Sequence, residues 1–297
     1  MHFADGEIPA DYLGYVRNKV FWILGGLLVL FVLLLYSISV GAVEIPISDV
    51  IATLLGQNVS HKWDAIIWNI RLPQALTAIA AGVGLSVAGV AMQSILRNPL
   101  GSPFTLGISN AGAFGAAVSV IVLGTGTMQS RVADAVTINN PYLTTMMAFL
   151  FCLLATAVIL LISRIRGASP EVMVLAGVAL SSLFTAGTMF LQFFSNDAQL
   201  AAVVFWTFGD VSRANWPELA LIAVIVAAAT VYFIANRWNY NAIDAGDETA
   251  KGLGVNVERV RLVGMVVAAL VSAVIVAFLG VIGFVGLVCP HMARRII

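Results

Sequence analysis

The chain has 297 residues, of which 60% are hydrophobic and only 10% are charged, and its 15 basic residues balance its 15 acidic ones. This composition excludes a water-soluble globule, because soluble domains carry about 25% charged residues. The zero net charge argues against nucleic acid as a partner, and the two cysteines, both in apolar runs, exclude a disulfide scaffold.

Seven long stretches of the chain contain no charged residue. They are Val20–Val43, Leu72–Leu96, Asn98–Ser130, Ala135–Ser163, Val172–Asn196, Leu219–Asn236 and Leu262–Ala293. A bilayer crossing needs about 20 mostly apolar residues, so six stretches predict one transmembrane helix each. Glycines and a proline break the last stretch, which predicts a crossing from about Arg261 to Gly280 and a shorter helix from near Phe284. We therefore expect a single all-α, polytopic membrane domain over residues 1–297, with about eight spans.

The basic residues orient this bundle, because cytoplasmic loops collect Lys and Arg. If residues 1–19 are cytoplasmic, the inner set is Arg17, Lys19, Arg97, Arg164, Arg166, Arg237, Lys251, Arg259, Arg261, Arg294 and Arg295. The outer set is then only Lys62, Arg71, Arg131 and Arg213. This bias predicts a cytoplasmic N-terminus in a multi-pass protein of the cell membrane.

Three loops are long enough to have structure of their own. Residues 44–71, predicted outside, contain Ile47–Leu55, which should form a short amphipathic helix capped by Ser48. Residues 197–218, also outside, hold aromatic side chains typical of the headgroup level. The cytoplasmic loop 237–261 is the most polar segment, which favours docking of a partner, although a solvated linker is the alternative.

No catalytic constellation accompanies these spans. The sequence lacks a phosphate loop, an HExxH motif, a nucleophile elbow and any His/Cys/carboxylate cluster, so we expect neither an enzyme nor a bound cofactor or metal. Ion-coupled carriers commonly keep titratable groups inside the membrane, whereas here the charges stop at the span ends. The expected energy source is therefore an external partner.

The fifth stretch carries a polar stripe. Ser181, Thr185, Thr188 and Gln192 are spaced by four, three and four residues, which places them on one side of a helix. This pattern is typical of the polar wall of a passage. The alternative is that the hydroxyls only bond to carbonyls one turn back in their own helix.

The segment Arg71–Asn110, RLPQALTAIAAGVGLSVAGVAMQSILRNPLGSPFTLGISN, resembles the permease subunit of ABC importers for iron-siderophore complexes, haem and vitamin B12 (FecCD-type, type II importers). Three more stretches agree with this family, namely Leu175–Leu180, Asp244–Arg261 and Gly280–Arg295. The resemblance is collinear over nearly the whole chain. It implies a permease that works as a dimer, with an identical or paralogous second copy, two ATPase subunits and an external substrate-binding protein.

The resemblance also implies residue roles. The ATPase-coupling loop corresponds to Asp244, Asp247, Glu248, Lys251, Leu253 and Gly254. The cytoplasmic gate corresponds to Asn98, Pro99, Leu100, Ser169 and Pro170, and the stripe from Ser181 to Gln192 would line the pathway. Arg71 would dock the binding protein, with Lys62 or Arg213 as further charges, because Gln74 occupies the place of a second arginine in the vitamin B12 permease.

Two expectations complete this interpretation. Family permeases have ten helices, whereas this sequence stops at Ile297, so we expect a C-terminally truncated form without the last two. The cargo is expected to be an iron-siderophore rather than haem or cobalamin, on family frequency. An ion-coupled secondary transporter and a non-transporting membrane component remain alternatives, and co-purification with an ATPase would discriminate against both.

Overall fold

The computed structural model describes residues 10–57, 59–128, 136–138, 140–165 and 169–296. The helices in these ranges are α1 (Ala10–Ser39), α2 (Ile47–Leu54), α3 (His61–Ile66), α4 (Leu72–Ile95), α5 (Ile108–Ala117), α6 (Pro141–Ile165), α7 (Pro170–Phe193), α8 (Asp197–Thr207), α9 (Trp216–Ala235), α10 (Arg237–Asp244), α11 (Asp247–Gly252), α12 (Val257–Leu279) and α13 (Val285–Ile296). A π-helical turn, Ile67–Arg71, joins α3 to α4, and another, Val118–Val122, extends α5. Arg131 and Arg166, used above to orient the bundle, lie outside the described residues.

Six helical segments among the described residues are long and apolar enough to cross a membrane. They are Tyr12–Ser39, His61–Ile95, Pro141–Ile165, Pro170–Phe193, Trp216–Ala235 and Val257–Leu279. Each matches one charge-free stretch of the sequence, because a bilayer crossing excludes charge and favours helix. The predicted all-helical, polytopic class is confirmed, with six clear spans where the sequence predicted about eight.

Of the other two predicted spans, the last is a short helix, as the sequence predicted, and the one within Asn98–Ser130 is shorter than expected. The apolar helix within Asn98–Ser130 covers only Ile108–Val122, because the residues before it form turns that end at Gly107, which has a φ of 73°. The last helix, α13, has 12 residues and follows an irregular segment after Gly280. Absence of charge thus identified an apolar environment, but not whether the backbone there is helical.

One hairpin interrupts the helices. Strands β1 (Gly126–Met128) and β2 (Val136–Ile138) pair antiparallel, with Thr127 opposite Thr137. The helix predicted within the charge-free stretch Ala135–Ser163 therefore occupies only part of it, because β2 takes the first residues. Helix α6 begins at Pro141, where the amide of Leu143 donates to the Asn140 side chain at 3.1 Å.

The predicted amphipathic helix in the loop 44–71 is confirmed as α2, but its predicted cap is not. The cap position is Pro46, which has no side-chain bond to the helix, and Ser48 lies inside the first turn. The Ser48 hydroxyl donates to the Asp49 carboxylate at 3.3 Å. The sequence pattern identified the helix and its first residue correctly and misplaced its cap by two positions.

The chain divides into two compact units. The described residues up to Leu76 and from His291 form the first, and Thr77–Pro290 form the second. In the first unit, Ile38, Ile45, Val50 and Ile67 form a small buried cluster. The most apolar part of α1, in contrast, is almost entirely exposed, with only 6% of it buried. The exposed apolar surface of α1 is what a lipid-facing helix requires.

The core of the second unit is built around α12. This helix packs against α5, α6 and α9, and about two-thirds of its most apolar part is buried. Close backbone approach contributes as well, because a Cβ atom added at Gly89 would stand 1.8 Å from the carbonyl oxygen of Gly286. Small residues at such contacts are how membrane helices gain packing energy.

Candidate functional site

The polar loop 237–261 is folded, with helices α10 and α11 and a core of its own. Ala242, Ile243, Ala250 and Val257 are buried together, so the loop presents an apolar face inward. The solvated linker, which was the alternative interpretation, does not describe this arrangement. The loop can therefore act as a shaped element with a defined outer surface.

A buried arginine ties this loop to the end of α4. Arg261, the fifth residue of α12, is 2% exposed, and its Nε donates to the carbonyl of Ile95 at 3.0 Å. Its Nη2 donates to both carboxylate oxygens of Asp247, the first residue of α11, at 3.0 and 3.2 Å. One planar guanidinium thus joins the carboxyl end of α4 to the start of α11.

Two further contacts reinforce this connection. The Arg97 guanidinium lies 3.9 Å from the Asp247 carboxylate, and the Ser94 hydroxyl donates to the Asp244 carboxylate at 3.1 Å. Asp244 and Asp247 were both predicted to dock a soluble partner. Because their carboxylates bind groups within the chain, their first role in this structure is to hold the loop in place.

The rest of the predicted coupling set is exposed and forms what we call the docking turn, residues Glu248, Lys251, Leu253 and Gly254. Lys251 and Glu248 form an ion pair at 3.0 Å, in which the Glu248 hydrogen bond and charge raise the pKa of Lys251. Leu253 is 70% exposed and precedes Gly254, whose φ of 82° suits glycine. The turn offers two charges and one apolar side chain to a partner.

The predicted gate segment follows directly after Arg97. The Asn98 side chain accepts from the amide of Leu100 at 2.9 Å, and the Thr105 hydroxyl donates to the Leu100 carbonyl at 3.0 Å. Leu100 itself is 63% exposed. The segment from Asn98 to Leu100, with Pro99 between them, is a self-bonded turn that projects one apolar side chain.

The second predicted gate element begins α7. Ser169 takes the cap position, its hydroxyl donates to the Glu171 carboxylate, and Pro170 is the first helical residue. The chain that follows the first gate segment contacts α7 nearer the middle of this helix, where Leu106 packs against Gly177. The contact with α7 is therefore made by Leu106, six residues after Leu100, and lies seven residues after Pro170.

The polar stripe on α7 is not uniform. Thr185 and Thr188 donate to carbonyls one turn back in the helix, at 2.8 and 2.9 Å, as the alternative interpretation expected. Ser181 bonds to the Asn110 side chain, and Thr188 is buried. Thr185 is exposed and Gln192 is half-buried. Of the four residues, Thr185 best fits a surface open to a passage.

The two arginines predicted to dock a binding protein are engaged with helix ends. Arg71 donates to the carbonyls of Ile38 and Ser39 at the end of α1, and also to that of Val43. Helix carboxyl ends carry unpaired carbonyls and partial negative charge, so an arginine there is well placed. Its donors are therefore committed inside the chain.

Arg213 does the same for α8. Its guanidinium donates to the carbonyls of Phe205, Trp206 and Phe208 at 2.7 to 3.2 Å. Burial lowers the pKa of Arg213, and the nearby charge of Asp210 partly offsets that effect. Lys62, in contrast, is exposed, with its ammonium group 5.8 Å from the ring centre of Trp63. Lys62 is the freest of the three candidate docking charges.

Comparison with known proteins decides the family. The sequence profile of the FecCD transport family matches residues 28–297. The chain belongs to the FecCD transport family. One relative is MJ0087 of Methanocaldococcus jannaschii, which is named as an ABC transporter permease. The two sequences are 50% identical over a region that covers 97% of this chain and 82% of the relative. The protein is accordingly a multi-pass membrane permease subunit of an ABC transporter.

Two other comparisons extend the similarity. The Fe(3+)-citrate import system permease YfmE of Bacillus subtilis is 32% identical to this FecCD permease over 90% of this chain and 76% of the relative. A solved structure described as a metal-chelate type ABC transporter in an inward-facing conformation has a TM-score of 0.76 and 28% identity. It covers 92% of this chain and 80% of the other. The helical permease fold is therefore shared.

Sequence reasoning missed the residues that hold loop 237–261 of this FecCD permease in place. The sequence placed Arg97 and Arg261 in the inner set of basic residues, and it gave Ser94 no role beyond its place in a charge-free stretch. One available signal was that Arg261 directly precedes an apolar run, where a buried charge needs a partner. Its partners, 14 and 166 positions away, follow only from the tertiary structure.

Proposed function

We propose that this permease forms the translocation pathway of an ATP-driven importer for an iron(III)-siderophore or a related chelate, such as haem or cobalamin. The observation that carries the proposal is the family match over residues 28–297. Similarity to a permease named for Fe(3+)-citrate import and to a metal-chelate type transporter supports an iron(III) chelate as the cargo class. The cargo itself is selected mainly by an external binding protein.

The proposed assembly has two permeases, identical or paralogous, two ABC ATPase subunits and one external binding protein. The N-terminus lies in the cytoplasm, which places the docking turn on the side where ATP is available. Eleven basic residues against four support this orientation. The loops 44–71 and 197–218 then face outward, and the loop 237–261 faces the ATPase.

The docking turn is the proposed ATPase contact. Its exposed Glu248 and Lys251 provide charges of both signs, which favour orientation and specificity, and the exposed Leu253 provides an apolar anchor. The small hydrophobic core beneath the turn makes the turn rigid, so that it moves as a unit when the ATPase displaces it. These features suit a short rigid element seated in a groove of a soluble subunit.

The proposed gate is formed by Asn98, Pro99 and Leu100, with Ser169 and Pro170 as its second element. Closure of the ATPase pair on ATP would tilt helices, so that inner and outer gates open alternately. The exposed side of α7 at Thr185 then contributes to the pathway. Ser181, Thr188 and Gln192 belong to the same stripe but are less exposed. On the outer side, Lys62 is the leading docking charge, because Arg71 and Arg213 bind helix carbonyls.

Co-purification with a co-expressed cognate ABC ATPase tests the proposal. Glu248→Lys combined with Leu253→Asp should abolish co-purification while the permease still inserts and elutes as a single species. Glu44→Lys is the control for the Glu248→Lys substitution, since it reverses the charge of an exposed acid predicted to lie outside. Retention of the ATPase by the docking-turn variant would overturn the assignment of the turn, and uptake of ferric citrate by vesicles that contain the permease alone would overturn the ATP-driven mechanism.

A further inference from the structure

Three elements that the proposed mechanism treats separately meet at the guanidinium of Arg261. The docking turn comprises residues of α11, which begins at Asp247, and the two residues that follow this helix. The gate segment begins at Asn98, three residues after Ile95, the last residue of α4. Arg261 donates to Asp247 and to the Ile95 carbonyl, both at 3.0 Å. Because Ile95 and Asn98 are only three residues apart, the guanidinium of Arg261 joins the start of α11 to the chain just before the gate segment.

The chemistry of this contact makes it stiff. A guanidinium is planar and always charged, and its donors point in fixed directions. Because Nε donates to the Ile95 carbonyl and Nη2 to the Asp247 carboxylate, the side chain restricts both the distance and the orientation between these two partners. The Arg261 side chain is 2% exposed, so water has little access to the guanidinium, whereas the Asp247 side chain is 30% exposed. If α11 moves, the guanidinium must carry the Ile95 carbonyl with it or lose a buried ion pair.

A second connection runs parallel to the first. Arg97, which lies directly beside Asn98, approaches the same Asp247 carboxylate at 3.9 Å and has a φ of 46°, unusual for a residue with a side chain. Ser94 binds Asp244, the last residue of α10. Both ends of the α10–α11 connection are thus held by the last turn of α4 and the residues that follow it.

We infer that Arg261 is the positioning residue that transmits movement of the docking turn to the gate segment Asn98–Leu100. The inference rests on the proposed function, in which an ATPase moves the docking turn. Asp247 is the receiving group of this connection rather than a contact to the ATPase. Arg97 and Ser94 hold the docking turn and the gate segment in register, while Arg261 transmits the movement between them.

The first test measures the connection in the permease alone. Spin labels are placed by Leu100→Cys and Leu253→Cys, two exposed positions on either side of Arg261, in a Cys289→Ser background, because Cys289 is exposed and Cys152 is buried. We expect a narrow distance distribution in the wild-type background and a distribution at least twice as broad in Arg261→Gln. Arg261→Lys keeps the charge without the fork and should be intermediate.

Arg259→Gln is the matched control, because it removes an exposed cation two residues away on the same helix. It should leave the distribution unchanged. An equally narrow distribution in Arg261→Gln, or equal broadening in Arg259→Gln, would overturn the inference. This measurement needs no ATPase, so its result is independent of whether the docking turn has been assigned correctly.

The second test measures transmission in the assembled complex. With a label at Leu100→Cys only, the distance between the two permease copies is compared before and after ATP and vanadate. We expect a shift in the parent complex and none in Arg261→Gln, although the variant still retains its ATPase and hydrolyses ATP. A normal shift in that variant contradicts transmission through Arg261, and loss of the ATPase from it shows a general structural role instead. Failure of the parent complex to bind an ATPase would contradict the proposed function itself.

Discussion

The guanidinium of Arg71 caps the end of α1 by donating to the carbonyls of Ile38 and Ser39 at 2.6 and 2.9 Å. The space beside it is fully used, since a Cβ added at Gly41 would stand 2.7 Å from Nη2 of Arg71. The arginine that heads the RLP motif thus stabilises a helix end 32 positions earlier in the chain. Its position in a family motif has a structural explanation that does not require an external partner.

This capping predicts that Arg71→Ala lowers stability. Hydrogen bonds that involve a charged group contribute about 1.5–3 kcal/mol each, and three are lost. Because Arg71 is only half-buried, water replaces part of them, so we expect a loss of about 3 kcal/mol. Thermal unfolding in detergent measures it, and hydrogen exchange should accelerate at residues 38–43. Lys62→Ala should change neither quantity, because its ammonium group is exposed, but should weaken association of the binding protein. Unchanged exchange in Arg71→Ala would contradict the capping role.

Two glycines of α4 predict opposite responses to the same substitution. At Gly89 a Cβ would stand 1.8 Å from the Gly286 carbonyl oxygen, whereas at Gly82 nothing lies within 4 Å. Gly89→Ala must displace backbone, and we expect a destabilisation of about 3 kcal/mol or loss of the folded species. Gly82→Ala should change stability by less than about 1 kcal/mol, since only helix propensity changes. Size-exclusion profiles and thermal midpoints in detergent give the comparison, and equal midpoints for the two variants would show that the close contact is absent in the membrane protein.

The sequence was sufficient for the spans and insufficient for their breaks. Runs such as Val172–Asn196 correspond to α7 within a few residues because lack of charge and apolar length both follow from the bilayer. Asn98–Ser130 has the same composition, yet its first part forms turns and its last described part contains β1. Local backbone preferences of Pro and Gly decided that region, and a count of charges does not register them.

The candidate site shows a similar division. Loop 237–261 could be found by polarity, and its exposed Glu248, Lys251 and Leu253 agree with a docking role that remains a prediction. The role of Asp247 could not be found that way, because a carboxylate that binds a buried arginine and one that binds a partner have the same sequence signature. Their difference lies in Arg261, which folding brings to within 3.0 Å.

Two neighbouring acids of α11 therefore have different predicted responses. Asp247→Ala leaves the Arg261 charge buried without its carboxylate, and removal of one partner of a buried pair costs about 3–5 kcal/mol. Since the Asp247 side chain is 30% exposed, we expect the lower end of that range. Glu248→Ala should leave the thermal midpoint unchanged, because the Glu248 side chain is 89% exposed, and should instead reduce ATPase association. The reverse pattern, with a stable Asp247→Ala variant that fails to bind the ATPase, would restore Asp247 as a docking residue.

The stripe on α7 predicts a graded accessibility to water. Charged, membrane-impermeant thiol reagents react only where water reaches the thiol, so they separate a passage from a lipid-facing or packed surface. In a Cys289→Ser background, Thr185→Cys should react, and Thr188→Cys, at a buried position whose hydroxyl bonds within the helix, should stay protected. Leu28→Cys on α1 is the control for an exposed position in apolar surroundings, where reaction should also be absent. If Thr185→Cys is as unreactive as Leu28→Cys in every state of the ATP cycle, then α7 does not line the pathway at Thr185, and the hydrogen bonds of its threonines to their own helix fully account for the stripe.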